Sequence, residues 1–157
     1  MQSVVLKQIL RHWDSARGGG LMPSFDQLHL SSLPVRRMWV YRYDGGRFTG
    51  RLADEAISKD IGKSFRNLPL AEAHTAATYL WVHRVLTRAV TEPAIYRSSG
   101  TLYRQAGRLI TGERIALPLA DDGITGDGVL GVSDFPEPDL EGPCELINEN
   151  EAWLALR

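Results

Sequence analysis

One cysteine in 157 residues, Cys144, leaves no pair from which to build an internal disulfide. The fold must rest on burial rather than cross-links, and a reducing cytoplasm is the expected compartment. Long apolar runs are also missing. None approaches the roughly 20 residues that a membrane-crossing helix needs. Lys7, Arg11 and His12 break the apolar stretch near the start, where a signal peptide would need an uninterrupted one. Charge of one sign is missing too: 18 Lys and Arg against 19 Asp and Glu leave a formal net charge of -1, so nucleic acid is not an expected partner. His12, His29, His74 and His83 stand at spacings that form no metal-ligand set. No segment repeats at a solenoid period. What is present is an ordinary globular composition, 43% hydrophobic and 24% charged, in a chain long enough to bury a core unaided.

The most organised stretch runs from Gly107 to Phe135. Ile115, Leu117 and Leu119 alternate with Arg114, Ala116 and Pro118, a period that sends one set to a core and the other outward. Asp121-Asp122-Gly123 and Gly126-Asp127-Gly128 supply residues that tolerate a chain reversal. Val129 to Phe135 then returns as a second strand, thinned at Gly128 and Gly131, which marks a bulge or the close approach of another element. Pro118 cannot donate to a ladder and belongs at a bulge, a strand end or an edge. An antiparallel sheet with one face to water needs cover on the other, and the helices upstream are the expected cover.

Ser3 to Ala16 reads as an amphipathic helix capped by Ser3, with Val5, Ile9 and Trp13 on one stripe beside Leu6 and Leu10. It ends at Gly18-Gly19-Gly20. That stripe fits either packing on its own domain or a dimer contact. Leu21 to Val35 reads as a loop with one helical turn, between Pro23 and Pro34. Arg37 to Tyr43 and Arg47 to Ala53 form a hairpin about Asp44-Gly45-Gly46. Asp54 caps a short helix that Gly62 stops, and Leu70 to Val90 reads as one long helix with apolar groups all round. Ala94 to Tyr103 is the third strand, kinked near Ser98-Ser99-Gly100. From Pro136 on, Glu137, Asp139, Glu141, Glu145, Glu149 and Glu151 meet no base until Arg157, the pattern of a solvated acidic tail whose Trp153-Leu154-Ala155-Leu156 end docks somewhere.

Three groups of residues follow: an N-terminal helix (1–20), a central domain (21–135) and the tail (136–157). The order of elements, together with L-R-H-W-D-S-A-R-G-G-G at Leu10 to Gly20, R-L-A at Arg51 to Ala53, G-K-S-F at Gly62 to Phe65, P-L-A-D-D-G at Pro118 to Gly123 and V-L-G-V at Val129 to Val132, resembles a bacterial PAS subfamily. The chain departs from that family at Asp54, where a glycine is usual, and at Gln27-Leu28-His29. The resemblance implies an α+β fold: a five-stranded antiparallel sheet with helices on one face and an extra N-terminal helix. It implies a non-catalytic cytoplasmic sensor or protein-interaction module that signals through an unidentified protein partner. The expected assembly is a homodimer through the N-terminal helix, with no nucleic acid and no membrane.

The expected ligand site lies between sheet and helices. Ile57, Ile61, Phe65, His74, Ala77 and Trp81 come from the helical side, and Ile115 and Leu117, or their opposite-face neighbours, from the sheet. A small apolar ligand fits such a lining. No cofactor, metal or catalytic residue is expected. His74, ahead of His83, is the residue from which a haem ligand would come in this part of a PAS fold. Cys144 falls in the tail, away from the place a flavin-adduct cysteine would need. Gly62-Lys63-Ser64 lacks the earlier glycine of a phosphate loop, since Ile57 stands there. The competing readings are a cone-shaped α+β isomerase or dehydratase, with Asp54 or His74 as base, and a pure dimerisation domain with a filled core.

Overall fold

Capping starts the first helix where the sequence places it. In the computed structural model, which describes residues 1–33, 37–136 and 140–157, Ser3 Oγ accepts the Leu6 N–H at 3.0 Å and α1 runs Val4–Ala16. Pro34 and Val35 of the expected loop, and Glu137 and Asp139 of the expected tail, lie outside the described residues. A capping box between Ser24 and Gln27 sets α2, Phe25–Leu28, and one 3-10 turn follows at Leu30–Ser32. The hairpin is β1, Trp39–Asp44, and β2, Arg47–Ala53. Asp54 Oδ1 accepts the Ile57 N–H at 3.1 Å to cap α3, Glu55–Ile61, and Gly62 ends it at a φ of 72°. Then come α4, Leu70–Ala73, and α5, Ala76–Thr91. The strands β3, Ala94–Gln105, β4, Arg108–Leu119, β5, Gly128–Asp134, β6, Cys144–Leu146, and β7, Ala152–Ala155, complete the chain.

The architecture is α+β with a curled antiparallel sheet. Its strand order is β2-β1-β5-β4-β3-β6, with β7 also paired to β3, seven strands rather than five. Pro118 stands at the end of β4, where pairing with β3 has already stopped at Ala116. Its lack of an N–H therefore costs no ladder bond to β3.

Helices cover both faces of the sheet, not one. On the first face Leu6, Ile9 and Trp13 of α1 join Val40, Ile115, Leu117, Leu119, Leu130 and Val132 in one buried cluster. Trp13 Nε1 donates to the Pro118 carbonyl at 3.0 Å. The Leu21 and Met22 N–H groups both donate to the Gly123 carbonyl, so the Leu10–Gly20 and Pro118–Gly123 motifs meet in space. The apolar stripe that suggested a dimer helix is thus spent inside the chain, each large side chain contributing about 1.5–3 kcal/mol by leaving water. On the second face Val82, Val85, Leu86 and Val90 of α5 pack with Tyr41, Phe65, Tyr96, Ala116 and Val129.

Two expected continuities are broken. The single helix from Leu70 to Val90 is two: His74 takes an extended backbone, φ -140°, and Thr75 Oγ1 accepts the Thr78 N–H at 3.3 Å to start α5 afresh. The acidic tail is not a solvated appendage. Its described part supplies β6 and β7, and two of its carboxylates find bases: Glu145 pairs with Arg104 of β3 at 3.1 Å and Glu151 with Arg84 of α5 at 2.6 Å. Trp153 docks on Tyr96, ring centroids 5.1 Å apart, with the Arg88 guanidinium carbon 4.2 Å from the centroid of the Trp153 ring.

Two glycines allow close packing on the second face. A Cβ on Gly131 would sit 1.9 Å from the Trp39 indole, and one on Gly50 would sit 2.0 Å from the Phe65 carbonyl oxygen. Gly131 therefore lets the Trp39 ring lie flat across β5. Gly50 lets the segment carrying Phe65 lie against β2, where the Gly50 N–H donates to the Leu68 carbonyl and the Asn67 N–H to the Gly50 carbonyl, both at 2.8 Å.

Candidate functional site

Between the second sheet face and helices α3 to α5 lies a cavity of about 110 Å³. The sheet provides its floor: Trp39 and Tyr41 from β1, Tyr96 and Tyr103 from β3, Arg114 and Ala116 from β4. Ile57, Asp60 and Ile61 of α3, with Phe65, form one wall. Trp81, Val82, Val85 and Leu86 of α5 form the roof, and Ala73, His74, Cys144 and Leu146 the remaining side. The same four residues also line a surface groove between the α4–α5 junction and β6, which places the mouth of the cavity there.

Small residues make this space. Ala116 and Gly131 are paired neighbours on β4 and β5, so at that pair the floor carries little side-chain volume and the Trp39 ring lies over Gly131. Aromatic groups then bound it, with Trp39 and Tyr41 at 5.4 Å and Tyr41 and Phe65 at 4.9 Å between ring centroids. Burial pushes the Tyr41 phenol above its usual range.

One end of the cavity is polar. Arg37 and Arg114 are 2% and 4% exposed. Their guanidinium carbons lie 5.4 Å and 4.9 Å from the Tyr103 ring centroid. Arg37 forms an ion pair with Asp60, whose other oxygen accepts from Gln105 Nε2 at 3.2 Å. Arg114 donates from Nε to Ser133 Oγ at 3.4 Å, from Nη1 to the Ile147 carbonyl at 3.1 Å and from Nη2 to the Leu102 carbonyl at 2.9 Å. Ser133 Oγ also bonds Tyr103 OH at 2.7 Å. Among the described residues, no carboxylate pairs with Arg114. At the mouth, burial and the Arg114 charge push the His74 imidazole down to about 4, so it is neutral near pH 7. Burial, reinforced by Asp60, pushes the Cys144 thiol up to about 12, which suppresses the reactive thiolate.

Ile57, Ile61, Phe65, His74 and Trp81 are brought together as lining residues. Ala77 is not: it is exposed in the first turn of α5, because the break at His74 turns that helix away from the expected face. Leu80, further along α5, is 72% exposed. Ile115 and Leu117 point to the opposite sheet face and pack with α1; their alternates Arg114 and Ala116 line the cavity. Cys144, read from the sequence as lying outside the core, is at the cavity mouth. Arg37, Asp60 and Tyr103 were missed. The available signal was the Arg114–Ala116 alternation, which reads as outward only if nothing covers the second face.

The other candidates have structural duties. Asp54 is outside the cavity lining and is occupied in capping α3 and accepting the Arg37 N–H. His83 bonds the Gly46 carbonyl at 2.9 Å and meets Phe48 edge-on, outside the cavity lining. Asp122 Oδ1 accepts the Ile124 and Thr125 N–H groups at 2.8 and 2.7 Å, and Asp127 Oδ2 accepts that of Asp121 at 2.9 Å, so this carboxylate group is turn chemistry. Gly62 is the α3 cap, and Lys63 points to Glu72 at 3.9 Å. Among the described residues, no three His, Cys, Asp or Glu side chains cluster as metal ligands, and no helix is long and apolar enough to cross a membrane. No family model matches the chain, and no curated protein matches it in sequence.

Proposed function

We propose that this chain is a non-catalytic, cytoplasmic, PAS-type sensory module that binds a small molecule in its interior and signals to a protein partner. The observation that carries the reading is the cavity between the curled sheet and α3 to α5, with apolar and aromatic walls and a mouth at the α4–α5 junction. Small-molecule sites have this character: concave, mostly apolar and with few polar groups. The order of elements, with an N-terminal helix, a hairpin, helices and three strands before residue 136, supports the PAS comparison.

The mechanism is differential binding. A ligand in the cavity touches α3, α5 and β6 at once, and it stabilises whichever arrangement of those elements fits it. The α4–α5 junction and β6 form the rim, so their position is what a partner would read. A homodimer remains part of this proposal, but its interface would have to use surfaces other than the buried stripe of α1.

Thermal-shift screening of small amphipathic compounds, with native mass spectrometry and an absorption spectrum of the purified protein, tests the reading. The expected result is a compound that stabilises the parent protein and does not stabilise Ala116→Val, whose added methyl groups enter the cavity. Turnover of the stabilising compound, or stabilisation that Ala116→Val leaves unchanged, would overturn it.

A further inference from the structure

The two buried arginines at the polar end of the cavity differ in one respect. Arg37 has the Asp60 carboxylate against it. Arg114 has only neutral acceptors, the Leu102 and Ile147 carbonyls and the Ser133 hydroxyl, and among the described residues no anion balances it. A guanidinium stays charged at any physiological pH, and a buried charge is costly unless it is paired. It carries five N–H donors in a planar fork, of which the three observed bonds leave two. The groups near it at the mouth, His74 and Cys144, bring no negative charge. Asp60, the acidic side chain in the lining, is already engaged by Arg37 and Gln105.

The rest of the lining is apolar, and the volume is small. A cavity of about 110 Å³ is somewhat below the roughly 150 Å³ of an engineered apolar cavity that admits benzene. The occupant therefore has a short hydrocarbon body and one anionic end. A phosphate or sulfate carries more charged oxygens than the two remaining N–H groups serve, whereas a carboxylate matches the fork.

We infer that the cavity takes a small monocarboxylate, its carboxylate on Arg114 and its hydrocarbon body against Trp39, Phe65 and Val85. This rests on the reading of the cavity as a ligand site and narrows it: the ligand is an organic anion rather than a neutral apolar molecule. Trp39 would report occupancy directly, because its indole lies flat on the cavity floor.

The experiment titrates the intact protein with sodium butyrate, butyramide and inorganic phosphate. Binding is followed by calorimetry and by the indole resonances of a ¹⁵N-labelled sample. Butyrate should bind about tenfold or more tightly than butyramide, the difference a charge-assisted pair supplies over a neutral one, and should shift the Trp39 resonance. Arg114→Gln should remove that preference. Should this variant fail to fold, Val85→Phe, which fills the cavity from α5 and leaves Arg114 in place, should abolish binding of both butyrate and butyramide. Equal affinity for butyrate and butyramide, or a preference for phosphate, would overturn the carboxylate assignment and leave the ligand cavity standing. Binding of neither organic probe would overturn both.

Discussion

Trp13 decides whether α1 belongs to its own domain or to a neighbour. The indole is 1% exposed, packed with Leu6, Ile9 and the Ile115–Leu119 face of β4, and its N–H reaches the Pro118 carbonyl at 3.0 Å. Trp13→Ala removes that ring and leaves a cavity under the helix, a change that costs about 3–5 kcal/mol. Trp13→Phe keeps most of the apolar contact and loses the hydrogen bond, about 1 kcal/mol, together with part of the buried ring. For a chain of this length each kcal/mol moves the melting midpoint by about 2–4 °C, so Trp13→Ala should melt about 6–20 °C lower and Trp13→Phe only a few degrees lower. Urea denaturation should show a lower midpoint at unchanged slope for both variants. Sedimentation velocity should give the same association state for both variants and the parent protein. The reasoning fails if Trp13→Ala changes the association state while its urea midpoint stays within about 0.5 kcal/mol of the parent, the size of an ordinary surface substitution. Removal of residues 1–16 should likewise unfold the domain, since it strips Leu6, Ile9 and Trp13 from the first sheet face.

Five further outcomes follow from the second face. Ala116→Val adds two methyl-sized groups to the cavity and should stabilise the ligand-free protein by up to about 1.6 kcal/mol, at about 0.8 per buried carbon; Ala77→Trp, on an exposed turn, should be neutral to within about 0.5 kcal/mol in chemical denaturation. Gly131→Ala places a Cβ 1.9 Å from the Trp39 ring and should cost about 1–3 kcal/mol by overpacking, with a change in tryptophan fluorescence that reports the displaced indole. His74 is held at about 4 in the fold against its ordinary 6.5, so the unfolded chain binds the extra proton between those values. Its contribution to stability is complete above about pH 6.5 and is lost as the pH falls towards 4, worth about 3 kcal/mol at most; His74→Gln should flatten that acid limb in urea midpoints measured across the window. Cys144, pushed up to about 12, should react slowly with iodoacetamide at pH 8 in the native protein and promptly in urea.

Alternation and capping were the legible signals. Ser3, Asp54, the Asp44-Gly45-Gly46 turn and the Asp121–Gly128 reversal all do in the structure what their chemistry announces. Trp39 and Tyr41 alternate with Val40 along β1 and stand on the opposite face of the sheet from it. What alternation could not supply was the number of covered faces. Arg114 fell in the outward set of β4, among the alternates to Ile115 and Leu117; with α1 on one side and α5 on the other, it is buried. The α4–α5 break was hard to see because no glycine or proline marks it. The Thr75 cap bonds and the extended His74 backbone do the work, and the loss of Ala77 from the cavity follows. The tail misled through counting charge along the chain. Arg84 and Arg104 are 67 and 41 positions from Glu151 and Glu145, so local charge balance does not register them.

The residues after 143 have a consequence for how the molecule meets others of its kind. β3 turns one side to β4 and the other outward, a length of 12 residues. That outward side is closed in three pieces: β7 over Ala94–Arg97, β6 over Tyr103–Gln105, and between them Ile147 N–H on the Leu102 carbonyl, Asn150 Nδ2 on the Ser99 carbonyl and Glu149 on the Thr101 N–H. At the far side of the sheet β2 is met by the Phe65–Pro69 segment. A long free strand margin is a template for pairing with another chain and for fibril growth; here the β3 margin is hemmed by strands of only three and four residues, and the seven-residue β2 is met at Thr49 and Gly50. A fragment ending at Phe135 would lay β3 open and should aggregate, and any chain that met the β3 margin would find side chains and short strands there rather than a free ladder.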